Sequence, residues 1–107
     1  MQYSNKKIII ITAPSGAGKT SITRYLISNH PQLAFSVSAA TRLPRGTEKT
    51  GVDYYFITVD EFQNHIRNND FMEWEMVYEG KYYGTLKSEM ERIWQNRQVP
   101  MLDIDVK

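Results

Sequence analysis

Cysteine is absent from the 107 residues. That excludes a disulfide framework and a thiolate metal site, and it fits a reducing compartment. An excess of one charge is absent too. Thirteen Lys and Arg stand against 12 Asp and Glu, a formal net charge of +1. No global field therefore draws the chain to nucleic acid or to an acidic membrane, and any basic site must be local. Long apolar runs are also missing. The longest aliphatic run, Ile8 to Ile11, is far too short to span a bilayer, and a Gly-rich turn follows it rather than a cleavage site. His30 and His65 have no metal-ligand spacing and are expected at the surface. These absences describe a soluble, cytoplasmic protein with neither a nucleic-acid nor a membrane partner, and they leave its oligomeric state open.

What is present is ordinary globular composition, 41% hydrophobic and 23% charged, enough for one domain of average size. Lys7 to Thr12 is a β-branched run of the kind buried on both faces of a parallel sheet. A turn at Ala13 to Gly18 leads into a helix with Ile22, Tyr25 and Leu26 on one face, which stops near Asn29 ahead of Pro31. Leu33 to Ser38 alternates as a second strand. Thr41 to Gly51 reads as a loop, and Tyr54 to Ile57 as a short strand. Thr58 and Glu61 form a capping box for a helix with Phe62 and Ile66 inward. Phe71 to Tyr78 and Lys81 to Gly84 follow as strands hinged at Glu79 and Gly80. A second amphipathic helix carries Leu86, Met90, Ile93 and Trp94, and Pro100 introduces a last strand, Met101 to Val106. Nothing after Lys107 covers that strand, so the order implies an incomplete domain.

The strongest chemical signal is A-P-S-G-A-G-K-T, residues Ala13, Pro14, Ser15, Gly16, Ala17, Gly18, Lys19 and Thr20. It matches G-x-x-x-x-G-K-[ST] except for Ala13 at the first glycine. The glycines let backbone N–H groups converge on phosphate oxygens, Lys19 adds a mobile cation, and the Thr20 hydroxyl can ligate Mg²⁺. A Gly-rich strand-to-helix turn with a solvent-facing lysine is the bland alternative.

Ser38, Thr41, Arg42, Arg45 and Tyr54 form a second group. Two arginines flanking Pro44 can converge on one dianion, because each planar guanidinium offers paired charge-assisted donors. Taken alone, such a pair is more often the mark of a solvated loop. In F-M-E-W-E, strand alternation sends Glu73 and Glu75 to one face and Met72, Trp74 and Met76 to the other. A carboxylate there could accept the N1 and amino donors of guanine, or simply face solvent. Five of the seven tyrosines, at 54, 55, 78, 82 and 83, fall in the middle of the chain, either as a small aromatic core or as pocket walls. Asp103 and Asp105 share one side of the last strand, suited to orienting metal-bound water or a substrate amino group, or to capping the next turn.

Taken together and in this order, S-G-A-G-K-T, F-S-V-S-A-A-T-R-L-P-R, G-V-D-Y-Y-F, F-M-E-W, Y-Y-G-T and L-D-I-D-V resemble the segments of guanylate kinases, from about Lys7 to the end. The resemblance implies an α/β fold, a P-loop NTPase parallel-sheet core over 1–32 and 86–107 with an inserted, mostly β GMP-binding subdomain over 33–85. It implies that Ser15 to Ser21, with Ala13 and Pro14, hold ATP phosphates, with Mg²⁺ on Thr20. Arg42, Arg45, Tyr54 and Tyr83 would hold the GMP phosphate. Ser38, Glu73, Thr85 and Asp105 would read guanine, with Asp103 near the metal or the GMP end of the cleft. The implied activity is transfer of the ATP γ-phosphoryl group to GMP, with Lys19, Arg42 and Arg45 neutralising charge. A phosphopeptide-binding scaffold module without catalysis is the alternative from another class, and the intact Gly16, Gly18, Lys19 and Thr20 weigh against it. A P-loop kinase for another phosphorylated acceptor is a third, against which Glu73 and the Tyr83 to Thr85 segment argue.

In the family pattern the lid arginines and the adenine loop lie beyond Lys107. Without them water competes and the transition state loses charge stabilisation. A 107-residue product is thus expected to bind GMP weakly and to turn over poorly. Near-normal turnover by a purified, mass-verified product of this length contradicts that expectation.

Overall fold

The structure, a computed structural model, describes residues 6–14 and 19–106, and at 13, 14, 19, 20 and 104–106 the backbone only. The described residues form two compact units. One runs up to Ser36 and resumes at Met90; the other is Val37–Glu89.

The first unit is built on a three-stranded parallel sheet of order β1-β7-β2, comprising β1 (Ile9–Pro14), β7 (Val99–Val106) and β2 (Leu33–Phe35). Only β7 has a strand on each side, and it supplies the buried Met101 and Leu102. Helix α1 (Lys19–Asn29) follows β1, and α3 (Lys87–Gln95) brings Met90 and Ile93 into this core. The Trp94 indole donates to the Lys7 carbonyl at 3.0 Å.

Three expectations are corrected here. Residues 33–35 belong to the core sheet and not to the insert: Leu33, Ala34 and Phe35 pair with Val99, Pro100 and Met101, and the Ser36 N–H reaches the Met101 carbonyl. The alternating run from Leu33 to Ser38 thus serves two sheets, because the chain crosses between units after Ser36. Ile9 and Ile10 are exposed rather than buried on both faces, since β1 is an outer strand. The packed side of α1 is rotated by one residue: Thr23 is buried and Leu26 and Ile27 are partly so, whereas Ile22 and Tyr25 face outward. A threonine on that side hides it from a hydrophobicity pattern.

The second unit contains a four-stranded sheet of order β4-β3-β6-β5, with β3 (Ala39–Ala40), β4 (Tyr55–Phe56), β5 (Phe71–Tyr78) and β6 (Lys81–Leu86). Helix α2 (Val59–Arg67) covers one face. It starts where expected, with both capping-box bonds between Thr58 and Glu61 formed. Phe62 on α2 is fully buried and stacks on Phe71 and Tyr82, at centroid distances of 4.4 and 5.1 Å. An irregularity between Phe71 and Glu73 leaves Met72 outside the ladder, so Phe71 and Trp74 both approach Phe62. Leu86, expected on the helix, is the last residue of β6. His65 is not a free surface group: its Nδ1 meets Asp70 at 2.9 Å and its ring packs edge-on to Phe71.

Glu89 ties the ends of this unit together. It is 3% exposed and accepts the Val37 N–H at 2.8 Å and the Tyr55 hydroxyl at 2.9 Å, as a buried carboxylate must.

Among the described glycines, Gly84 alone stands where neighbours leave no room for a side chain. A Cβ at that position would lie 2.8 Å from two atoms of the Phe71 ring and 2.9 Å from the Trp74 Cβ. Gly84→Ala is therefore expected to destabilise the fold by about 1–3 kcal/mol, seen as an earlier urea midpoint. An unchanged midpoint would mean that the ring can give way.

Candidate functional site

Strand alternation sorts the second unit into a core face and an open face. Residues directly opposed in a sheet share a face. Glu73 opposes Thr85, Glu75 opposes Tyr83, and Tyr83 also opposes Ala40, which pairs with Phe56. Tyr82 and Gly84 alternate to the α2 side. The Y-Y-G-T segment thus supplies both the aromatic core and the opposite wall. Ser38, two residues before Ala40, falls on the open face by the same alternation, and its carbonyl accepts the Tyr55 N–H at 2.8 Å. Tyr54 precedes Phe56 by two and joins the same side.

One end of this face is cationic. The Arg42 guanidinium lies over the Tyr54 and Phe56 rings, 5.0 and 5.5 Å from their centroids, and Tyr54 meets Tyr83 edge-on at 6.0 Å. Its side chain is only 10% exposed, against 26% for its ion-pair partner, Glu48. That pair is bidentate, Nη1 to Oε1 at 2.7 Å and Nη2 to Oε2 at 2.9 Å. Glu48 first, and then the Tyr83 hydroxyl, hold Arg42 more firmly in its charged form, against partial desolvation. The Glu48 carboxyl is correspondingly pulled down to about 2, chiefly by Arg42 and then by the Arg45 backbone N–H. The Arg45 side chain is exposed, on a turn closed by the Glu48 N–H to the Arg45 carbonyl at 2.9 Å and by Gly46 at φ 53°. Pattern reasoning passed over Glu48, because it lies in an aperiodic loop. Its signal is the spacing R-x-x-R-x-x-E, a carboxylate one turn-length beyond two arginines.

The other end is a carboxylate with a hydroxyl. Thr85, buried at 2% exposure, donates from Oγ1 to Glu73 Oε1 at 2.9 Å, leaving Oε2 as a further acceptor. Glu73 as a residue retains solvent contact. Even so, desolvation of its carboxyl is the largest influence on it and pushes it above the ordinary 4.5; the Thr85 bond opposes this and nearby Glu75 adds to it. The neighbouring Met72, Trp74 and Met76 are all substantially exposed, so the expected two-sided alternation holds for direction from Glu73 to Met76 but not for burial, and it breaks at Met72.

The remaining candidates lie in the first unit. Ser15 to Gly18 fall outside the described residues, as do the side chains of Ala13, Pro14, Lys19 and Thr20; what is described is the frame, β1 ending at Pro14 and α1 opening at Lys19. Ser21 is exposed on α1. Asp103 stands on β7 opposite Ile11, and Asp105 pairs through its backbone with Ala13, so the parallel register sets both beside the C-terminal half of β1. The Asp105 side chain lies outside the described residues.

A family model described as guanylate kinase matches residues 5–107. A guanylate kinase of Bacteroides thetaiotaomicron is 51% identical over 100 residues, covering 94% of this chain and 49% of its own length. One from Porphyromonas gingivalis is 52% identical over 101 residues, covering 94% and 54%. Among solved structures, the crystal structure of guanylate kinase from Anaplasma phagocytophilum matches with a TM-score of 0.71 at 30% identity, covering 92% of this chain and 48% of that one. The chain spans about half the length of the curated relatives it matches.

The two perturbed carboxyls act on stability with opposite signs. Glu48, lowered from 4.5 to about 2, supports the fold above pH 4.5 and loses that support as the pH falls toward 2. Glu73, raised above 4.5, binds more protons folded than unfolded, so its contribution falls as the pH rises past 4.5. Denaturation midpoints followed over pH should show Glu48→Gln flattening the acid limb and Glu73→Gln flattening the limb above it. A Glu48→Gln variant with the wild-type acid limb contradicts the ion pair.

Proposed function

The chain belongs to the guanylate kinase family, and on that footing we propose that it binds GMP on the open face of its second unit, for phosphorylation by ATP. The observation that carries this is the polarity of that face. An arginine stacked on Tyr54 and neighboured by Tyr83 stands at one end, and the Glu73–Thr85 pair at the other. A monophosphate nucleotide has the same two ends. The guanidinium and the tyrosine hydroxyls match phosphate oxygens. The Glu73 carboxylate matches the paired N1–H and amino donors of guanine, and it would repel the N1 acceptor of adenine. Ser38 and Thr85 add neutral hydroxyls on the base side, and Arg45, on the same turn as Glu48, adds a second cation on the phosphate side.

The reaction needs no general base. The GMP phosphate, with a second pKa of about 6, is already a dianion near neutrality, and one of its oxygens attacks the γ-phosphorus of ATP as the bond to the ADP oxygen breaks. The protein positions two anions in line and neutralises them. β1 ends at Pro14 and α1 opens at Lys19, a frame that suits a triphosphate held by backbone N–H groups at the helix N-terminus and by Lys19. Thr20, a hard oxygen donor in the first helical turn, would hold Mg²⁺ together with those phosphates. When bound, the ion offsets the charge between the β- and γ-phosphates.

Calorimetric titration with GMP, AMP and guanosine tests the reading. GMP should bind best. Glu73→Gln should weaken GMP by about tenfold or more, the loss of charge-assisted bonds, with little effect on AMP. Equal affinity for AMP and GMP in the wild-type chain, or an unaffected Glu73→Gln variant, would remove guanine from that end.

A further inference from the structure

We infer that Glu48 is a positioning residue for GMP binding: by sealing the end of the Arg42 guanidinium, it turns that group's remaining pair of donors into a phosphate-gripping edge. The inference rests on the GMP reading above and deepens it at the phosphate end.

Donor geometry at Arg42 carries this inference. A guanidinium carries its N–H donors in a rigid planar fork. Glu48 takes one hydrogen from Nη1 and one from Nη2, at 2.7 and 2.9 Å, and the Leu43 carbonyl takes a second bond from Nη1 at 3.1 Å. Glu48 and Leu43 leave the Nε–H and the second Nη2–H, for which the Tyr83 hydroxyl, a hydrogen-bond partner of this guanidinium, is a neutral acceptor that a phosphate oxygen can replace. The two N–H groups point side by side along one edge, the parallel arrangement that suits two phosphate oxygens. The Tyr83 hydroxyl lies against the same guanidinium, where it can share a phosphate oxygen. The plane is fixed as well, because the group lies over Tyr54 and Phe56. Without Glu48 the long arginine side chain would be free to turn, and the ligand would bear the cost of ordering it.

Glu48 also acts on the second arginine. Its Oε1 accepts the Arg45 N–H at 2.8 Å, and its own N–H donates to the Arg45 carbonyl at 2.9 Å. One carboxylate therefore sets the orientation of Arg42 and the course of the turn bearing Arg45. Its negative charge lowers the local field for an anion, so the effect must come through geometry. That is what separates it from a simple competitor, whose removal would tighten binding.

The test compares GMP with guanosine, which lacks the phosphate, in titrations of wild type, Glu48→Gln, Arg42→Ala and the double variant. Glu48→Gln should weaken GMP by about five- to tenfold and leave guanosine within about twofold. In the Arg42→Ala background its cost should shrink to about twofold or less, the part that acts through the Arg45 turn, because its guanidinium partner is gone. Tighter or unchanged GMP binding by Glu48→Gln overturns the inference, and so does an equal loss of guanosine, which would mean a merely structural role. A wild-type chain that binds guanosine as well as GMP would instead overturn the function proposed above, independently of Glu48.

Discussion

The second unit depends on the two-residue period of β6. Lys81 to Leu86 lies between β3 and β5, so neither edge is free, and its side chains must go either toward α2 or away from it. Tyr82 goes to the core, where it stacks on Phe62, and Gly84 leaves room for the Phe71 ring to cross. Tyr83 and Thr85 go the other way, carrying a phenol and a hydroxyl onto the open face. A slip of one residue would exchange these roles entirely. The same contacts that hold α2 on the sheet therefore keep the polar side chains in register.

Charge on the open face is balanced locally. Arg42 and Glu48 neutralise each other in a bidentate pair, while Glu73 keeps a hydroxyl partner and, among the described residues, no paired cation. These different settings push the two carboxyls in opposite directions. A carboxyl raised by desolvation gains from any ligand that donates hydrogen bonds to its charged form. A guanidinium already ordered by an internal carboxylate loses little freedom when an anion arrives. On the proposed reading, the two ends of the face are thus prepared in distinct ways for the two ends of one nucleotide.

Much of this architecture was legible in the sequence. Thr58 and Glu61 announced α2 to the residue, and the alternation at 71–78 and 81–84 announced a hairpin, because capping and pleating are local rules. The family followed from the order of several motifs together rather than from any one of them. Non-local features stayed hidden. Nothing between Leu33 and Ser38 shows that the chain changes sheets after Ser36, since both halves are strand-like and only the parallel partner Met101 claims the first. The inner side of α1 was displaced because Thr23, a polar residue, is the buried one. Glu48 lies in a loop without periodicity, and only the folded turn brings it onto Arg42.

The most direct trial of the central claim is a crystal structure of the chain with GMP. The account predicts the phosphate within about 3 Å of the Nε edge of Arg42 and of the Tyr83 hydroxyl, with Glu48 still on the opposite end of that guanidinium and the guanine edge on Glu73. A phosphate bound elsewhere, or one that displaces Glu48 to take its place, would contradict it.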